Sequence, residues 1–274
     1  MNEIATLALY RDVRLLYGLP YFLLFDKENL EGAHTRALWT AQDSFIRHIK
    51  SHPEIGHHVQ HLEWEQNSND RSTGDIFTDI FPLMPNVRKI RLVSAYSFHI
   101  GDISLQMAPI FPGIEDITLA GLTAPNFAMA TLHSPNNIQA LCLDSINPFS
   151  TYVQLLEWLS VTELPNLERL TLRALCTQVM ANGDLPFLWR KSLLATKKTV
   201  RELTLEVSEQ KNCPSDHQQY QSAQTKLIDT LLPFFQDNHV TKGVLQGLHL
   251  SGFILDKNVV HSLRSMIPSF QVME

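Results

Sequence analysis

Apolar residues recur along the chain in one six-residue pattern, apolar-x-x-apolar-x-apolar. It reads Val59-Gln-His-Leu62-Glu-Trp64, Val87-Arg-Lys-Ile90-Arg-Leu92 and Ile114-Glu-Asp-Ile117-Thr-Leu119. It returns as Ile138-Gln-Ala-Leu141-Cys-Leu143, Leu167-Glu-Arg-Leu170-Thr-Leu172, Val200-Arg-Glu-Leu203-Thr-Leu205 and Leu245-Gln-Gly-Leu248-His-Leu250. A degenerate early copy is Tyr10-Arg-Asp-Val13-Arg-Leu15. The last two apolar positions of each copy alternate, so they share one side of a short strand, and the residue between them points to the other side. One copy alone cannot bury its apolar side. Copies stacked in a parallel sheet can.

Successive copies from Val59 begin 28, 27, 24, 29, 33 and 45 residues apart. The first four intervals match the period of leucine-rich repeats, roughly 20 to 29 residues, and the last two require insertions. Four copies share a proline lead-in: Pro85-Asn86, Pro112-Gly113, Pro135-Asn136-Asn137 and Pro165-Asn166. Proline there ends what precedes and sets the chain extended for the next strand. The pattern therefore predicts an α/β fold: a solenoid of about seven irregular leucine-rich repeats, with parallel strands on the concave face and helices on the convex face. Residues 1–30 are expected to form an N-terminal strand and connector, and residues 31–274 the repeat domain.

Helical periodicity fills the gaps between strands. Residues 34–51 place Leu38, Phe45, Ile46 and Ile49 on one face and would close the N-terminal end. Residues 151–159, with Ser150 as a capping signal, residues 185–195 with Pro186 in the first turn, and residues 218–236 follow the same logic. Pro233 is expected to interrupt or kink the end of the last of these. Asp256 should cap a terminal helix over 256–267 that closes the C-terminal end. Two polar stretches, 66–74 and 207–219, leave the same end of their strands, which puts both on one rim, a usual place for binding insertions.

Composition narrows the function. The chain has 274 residues, enough to bury roughly three quarters of its unfolded surface. Its net charge of −6 argues against a broad nucleic-acid surface. Three cysteines exclude a disulfide scaffold, and their odd number, with no Asn-x-Ser/Thr sequon, suits a reducing cytoplasmic or nuclear setting. The apolar run Leu15–Phe25, broken by Gly18 and Pro20, is about half a membrane span, so no membrane role is expected.

Candidate chemistry is sparse. Neither phosphate-binding glycine motif occurs, nor a nucleophile elbow, nor His-Glu-x-x-His. The densest cluster, His57-His58-Val-Gln-His61-Leu-Glu63, has zinc-ligand types but no helix to set an i, i+4 pair. Cys142 is expected on the open side of its strand and could form a nucleophile pair with a His, but no second feature supports that. No catalytic residue, metal or cofactor is expected, and the chain reads as a binding protein rather than an enzyme. The positions between the paired leucines should line the concave sheet. Those expected to touch a protein partner are His61, Glu63, Lys89, Arg91, Asp116, Arg169, Arg173, Glu202 and Glu206. Their signs alternate from strand to strand. That mosaic suits either a protein or peptide partner or lateral pairing between neighbouring strands. Arg91, Arg169 and Arg173 are the expected anchors, since Arg is enriched at hot spots.

The stretch Ser44-Phe-Ile-Arg-His-Ile-Lys-Ser-His-Pro-Glu-Ile-Gly-His-His-Val-Gln-His-Leu-Glu-Trp64 resembles the first repeat of fungal F-box/leucine-rich-repeat proteins. There a helix, a Pro-Glu turn and a V-x-x-L strand come in that order. Asn2 to Leu16 resembles the segment those proteins carry just after the F-box. The F-box opening Leu-Pro-x-Glu has no counterpart: Leu-Pro occurs at 19, 164, 185 and 232, never with Glu two residues on. The resemblance thus implies the repeat region without its F-box, a substrate-recognition half of a ubiquitin-ligase receptor. It would dock a Skp adaptor and cullin only if a docking surface exists.

Overall fold

The structure is a computed structural model, and it describes residues 9–16, 31–66, 79–94, 110–121, 125–146, 149–181, 183–208, 217–241 and 243–273. Contacts divide the chain into two compact units, Met1–Asn137 and Ile138–Glu274. In the first, the described elements are β1 (Asp12–Leu15), α1 (Glu31–Ser51), α2 (Pro53–Gly56), β2 (His61–Gln66), β3 (Lys89–Ser94), β4 (Asp116–Gly121) and α3 (Pro125–Thr131). In the second they are β5 (Ala140–Asp144), α4 (Phe149–Val161), β6 (Arg169–Leu175), α5 (Cys176–Ala181) and α6 (Leu185–Thr196). These are followed by β7 (Glu202–Ser208), α7 (His217–Val240), β8 (Gly247–Ser251), α8 (Lys257–Met266) and β9 (Ser269–Met273). Within each unit every strand pairs in parallel with the next in sequence, from β1 to β4 and from β5 to β9. The α/β class read from the sequence is the class observed.

The register is the sequence pattern itself. Leu62 lies beside Ile90 and Ile90 beside Ile117, while Trp64, Leu92 and Leu119 form the next row. In the second unit Leu141, Leu170, Leu203, Leu248 and Phe270 align, as do Leu143, Leu172, Leu205, Leu250 and Val272. The early copy forms β1, with Val13 beside Leu62 and Leu15 beside Trp64. Rows of like residues stack their apolar sides into a core within each unit.

One backbone device recurs at the start of six strands, β2, β3, β4, β6, β7 and β8. The carbonyl of the second motif residue accepts two successive N–H groups from the following copy. Gln60 O takes Arg88 and Lys89, Arg88 O takes Glu115 and Asp116, and Glu168 O takes Arg201 and Glu202. Arg11, Gln139 and Arg201 do the same. A carbonyl has two lone pairs, so the strand entrance is satisfied without side chains. Asparagine completes the lead-in turn in the first unit: Asn86 Nδ2 donates to His57 O at 2.7 Å and Asn137 Nδ2 to Pro112 O at 2.8 Å.

The helices bury their apolar stripes against the sheet. In the first unit the ring sequence Phe45, Trp64, Phe81 and Phe111 runs through the core at centroid spacings of 6.5, 5.8 and 5.3 Å. In the second, Tyr152, Leu155, Leu156 and Leu159 of α4 meet Trp189 and Leu193 of α6, and all six are buried. Trp189 Nε1 donates to the Tyr152 hydroxyl at 3.1 Å. Buried glutamines clip helices to strand ends. Gln42 of α1 donates to Glu65 O at 2.7 Å. Gln178 of α5 donates to Ile146 O at 2.8 Å and accepts from Leu175 N–H at 2.9 Å. Gln224 of α7 donates to Gly252 O at 2.6 Å and accepts from Ile254 N–H at 2.9 Å. Gly252 itself sits at φ +72°, and a Cβ there would fall 2.0 Å from Val207 O, so only glycine fits.

Two expectations change. The helix around Pro233 is not interrupted there but runs on to Val240. Pro233 and the residue four before it, Asp229, are both exposed, so water can satisfy the carbonyl that loses its partner. Asp256 caps α8 as expected, accepting from Asn258 N–H at 2.7 Å, yet α8 does not close the sheet. The chain turns at Ile267-Pro268 and adds β9. Ile267-Pro-Ser-Phe270-Gln-Val272 is a further copy of the repeat pattern, 22 residues after Leu245. Among the described residues, no helix is long and apolar enough to cross a membrane.

Candidate recognition face

The side of each sheet away from the helices carries the residues between the paired apolar positions. In the first unit one row reads Asp12, His61, Lys89, Asp116 and the next Arg14, Glu63, Arg91, Thr118. Asp12 and Arg14 belong to this face although they were not singled out in the sequence. The early copy places them at the same register as His61 and Glu63. The third row, Glu65, Val93 and Ala120, is buried rather than open. In the second unit the rows are Ala140, Arg169, Glu202, Gly247, then Cys142, Thr171, Thr204, His249, then Asp144, Arg173, Glu206, Ser251.

Opposite charges pair along these rows. His61 Nδ1 is hydrogen-bonded to Asp12 Oδ1. Lys89 Nζ lies 3.1 Å from Asp116 Oδ2, and Arg14 Nε 3.9 Å from Glu63 Oε1. Arg88, at the strand entrance, bonds Glu115. Arg173 bridges two strands, with Nη1 3.0 Å from Asp144 Oδ2 and Nε 2.7 Å from Glu206 Oε2. Burial works against the Arg173 charge, but Asp144, with Cys142 and Glu206 beside it, outweighs that, and its pKa is held above the ordinary arginine value. Lateral pairing therefore accounts for much of the alternation in sign.

This sorts the nine expected contact residues. His61, Glu63, Lys89, Asp116, Arg173 and Glu206 are committed to neighbours. Arg91, Arg169 and Glu202 are exposed and make no ion pair among the described residues. Arg169 and Glu202 are adjacent in register, yet their charged ends are not engaged. Arg173, one of the expected anchors, clamps the strands on either side of it.

The other chemical leads separate in space. Among the described residues no three His, Cys, Asp or Glu side chains stand together as a metal site. His61 is occupied by Asp12, and His57 is exposed at the turn where its carbonyl holds Asn86. Cys142 is a half-buried thiol. The nearest His in its row is His249, three strands away, about 14 Å by strand spacing, too far for a nucleophile and its base. Cys176 is buried where β6 meets α5 and is disulfide-bonded, a bond that the reducing setting expected from the cysteine count would not favour. The rim stretches lie outside the described residues except at 66, 207, 208 and 217–219. No family model, no curated protein and no solved structure matches the chain.

Proposed function

We propose that the chain is a leucine-rich-repeat solenoid acting as a non-catalytic protein-binding module, of the kind that F-box/leucine-rich-repeat receptors use to recognise ubiquitin-ligase substrates. The observation that carries this reading is the contrast on the open side of each unit's sheet. Most of the charges there are spent on neighbouring strands, while Arg91 in the first unit and Arg169 and Glu202 in the second are exposed and make no ion pair among the described residues. Planar guanidinium donors standing among self-neutralised pairs favour a protein or peptide segment that offers carboxylates. The paired rows around them discriminate against uniformly charged ligands such as nucleic acid.

The test is affinity purification of the tagged chain from its native cells, in parallel with Arg91→Glu, Arg169→Glu and a control, Lys191→Glu, at an exposed position of α6. A partner recovered with the parent and the control, but lost with either arginine variant, supports the reading. A partner retained equally by all four overturns the assignment of these sheet surfaces. Co-purification of a Skp adaptor and cullin would extend the role to that of a complete ligase receptor.

A further inference from the structure

We infer that the outer edge of β9 pairs with β9 of a second copy, antiparallel, around a two-fold axis through Gln271. Ser269 N–H donates to Gln246 O at 2.9 Å and Met273 O accepts from Gly252 N–H at 3.3 Å. The odd-numbered residues of β9 thus turn their backbone groups toward β8. By strand alternation, the N–H and C=O groups of Phe270 and Val272 face outward, and no described strand pairs with them. The side chains on this edge are equally incomplete. Leu248 and Leu250 of β8 are 1% and 0% exposed, whereas Phe270 and Val272, at the same motif positions, are only half-buried. Leu255, Val259 and Met266, in the segment leading to β9, are half-buried too, and Met273 is exposed.

Sheet edges that stay unpaired usually carry a lysine, an inward charge, a bulge or a proline within the strand. The segment Ser269-Phe-Gln-Val-Met273 has none of these; its only proline, Pro268, precedes it. The same segment is complementary to itself. With Gln271 opposite Gln271 of the copy, Phe270 falls opposite Val272 and Ser269 opposite Met273. No charge opposes a like charge, and each Phe270–Val272 pair exchanges both of its backbone bonds. The half-buried Phe270 and Val272 then cover one another across the axis. A second copy is the occupant that supplies this match without any further partner.

The experiment is sedimentation equilibrium of the full chain from low to high micromolar concentration. The parent should show a monomer–dimer equilibrium. Gln271 projects onto the exposed face, so Gln271→Glu and Gln271→Lys leave the core intact, which circular dichroism would verify. Each variant alone sets like charges on residues whose Cα atoms lie about 4.5 Å apart at the axis and should weaken dimerisation about fivefold or more. Mixing the two should restore it. A parent that stays monomeric, a dimer indifferent to either charge, or a mixture no stronger than its components would each overturn the pairing.

Discussion

Replacing Arg173 by Met is expected to lower stability by about 2 kcal/mol. Arg173 is 35% exposed, Asp144 22% and Glu206 28%. These pairs therefore lie between two limits. Fully exposed pairs contribute about 0.2–1 kcal/mol. One-sided removal of a buried pair costs about 3–5 kcal/mol. Water reaching a third of the arginine pulls the value toward the lower limit, and the presence of two acceptors pulls it up. Once the arginine is gone, the two carboxylates face each other across two strand spacings, about 9.6 Å. Their repulsion adds about 0.4 kcal/mol at the dielectric of water, and salt reduces it. Urea unfolding followed by circular dichroism should show a lower midpoint with an unchanged slope. Neutralising the carboxylates in the same chain, with Asp144→Asn and Glu206→Gln, should recover most of the loss, because no unpaired charge remains in the half-buried row. A loss under about 0.5 kcal/mol, within the usual range of surface substitutions, or a triple variant no more stable than the single one, would refute the clamp.

Three other outcomes follow from the packing. Burial holds the Tyr152 phenol neutral, far above its ordinary 10.0, so the unfolded chain releases that proton first as pH rises. Stability from this residue is complete below pH 10.0 and falls above it. Tyr152→Phe should flatten the alkaline limb of the urea midpoint by up to one proton, and at neutral pH cost about 1–3 kcal/mol by leaving Trp189 Nε1 without its acceptor; an unchanged alkaline slope sinks the idea. Gln178→Leu strands the Leu175 N–H and the Ile146 C=O and should cost about 2–4 kcal/mol in chemical denaturation. A near-neutral result would show that the clip is not needed. Asn86→Ala and Asn86→Asp should destabilise alike, by about 0.5–1.5 kcal/mol, since neither can donate to His57 O. A harmless Asp would mean that the donor is irrelevant.

Most of the fold was legible because one periodicity controls it. The alternating pair in each motif copy marks both the strand and its inner side, and parallel stacking repeats the register without new information. The last copy was harder to see. Ile267 also ends a convincing helical stripe, and Pro268 reads as a stop rather than a strand entrance. The path past Pro233 depends on solvent exposure, which a local breaker rule does not contain. The face was legible as positions but not as chemistry. Whether Arg173 or Arg91 is available depends on what stands one strand away, and the spacing between copies conceals that. The glutamine clips were invisible for a related reason: a Gln on a helix reads as surface until its amide is found beside a strand end.

The uniform register has a consequence for how the strands find their order. Every motif copy presents the same apolar rows and the same backbone entrance, so the main chain alone would accept almost any strand beside any other. The charges on the opposite side are what differ. If β6 were skipped during folding, or deleted as a unit, Asp144 would land beside Glu206 instead of on either side of Arg173. If β3 were skipped, His61 would meet Asp116, but Asp12 already holds that imidazole. The pairs thus act as an address for each strand. They penalise mis-ordered assemblies that the core would tolerate, and they set which copies could be lost or duplicated without leaving like charges side by side.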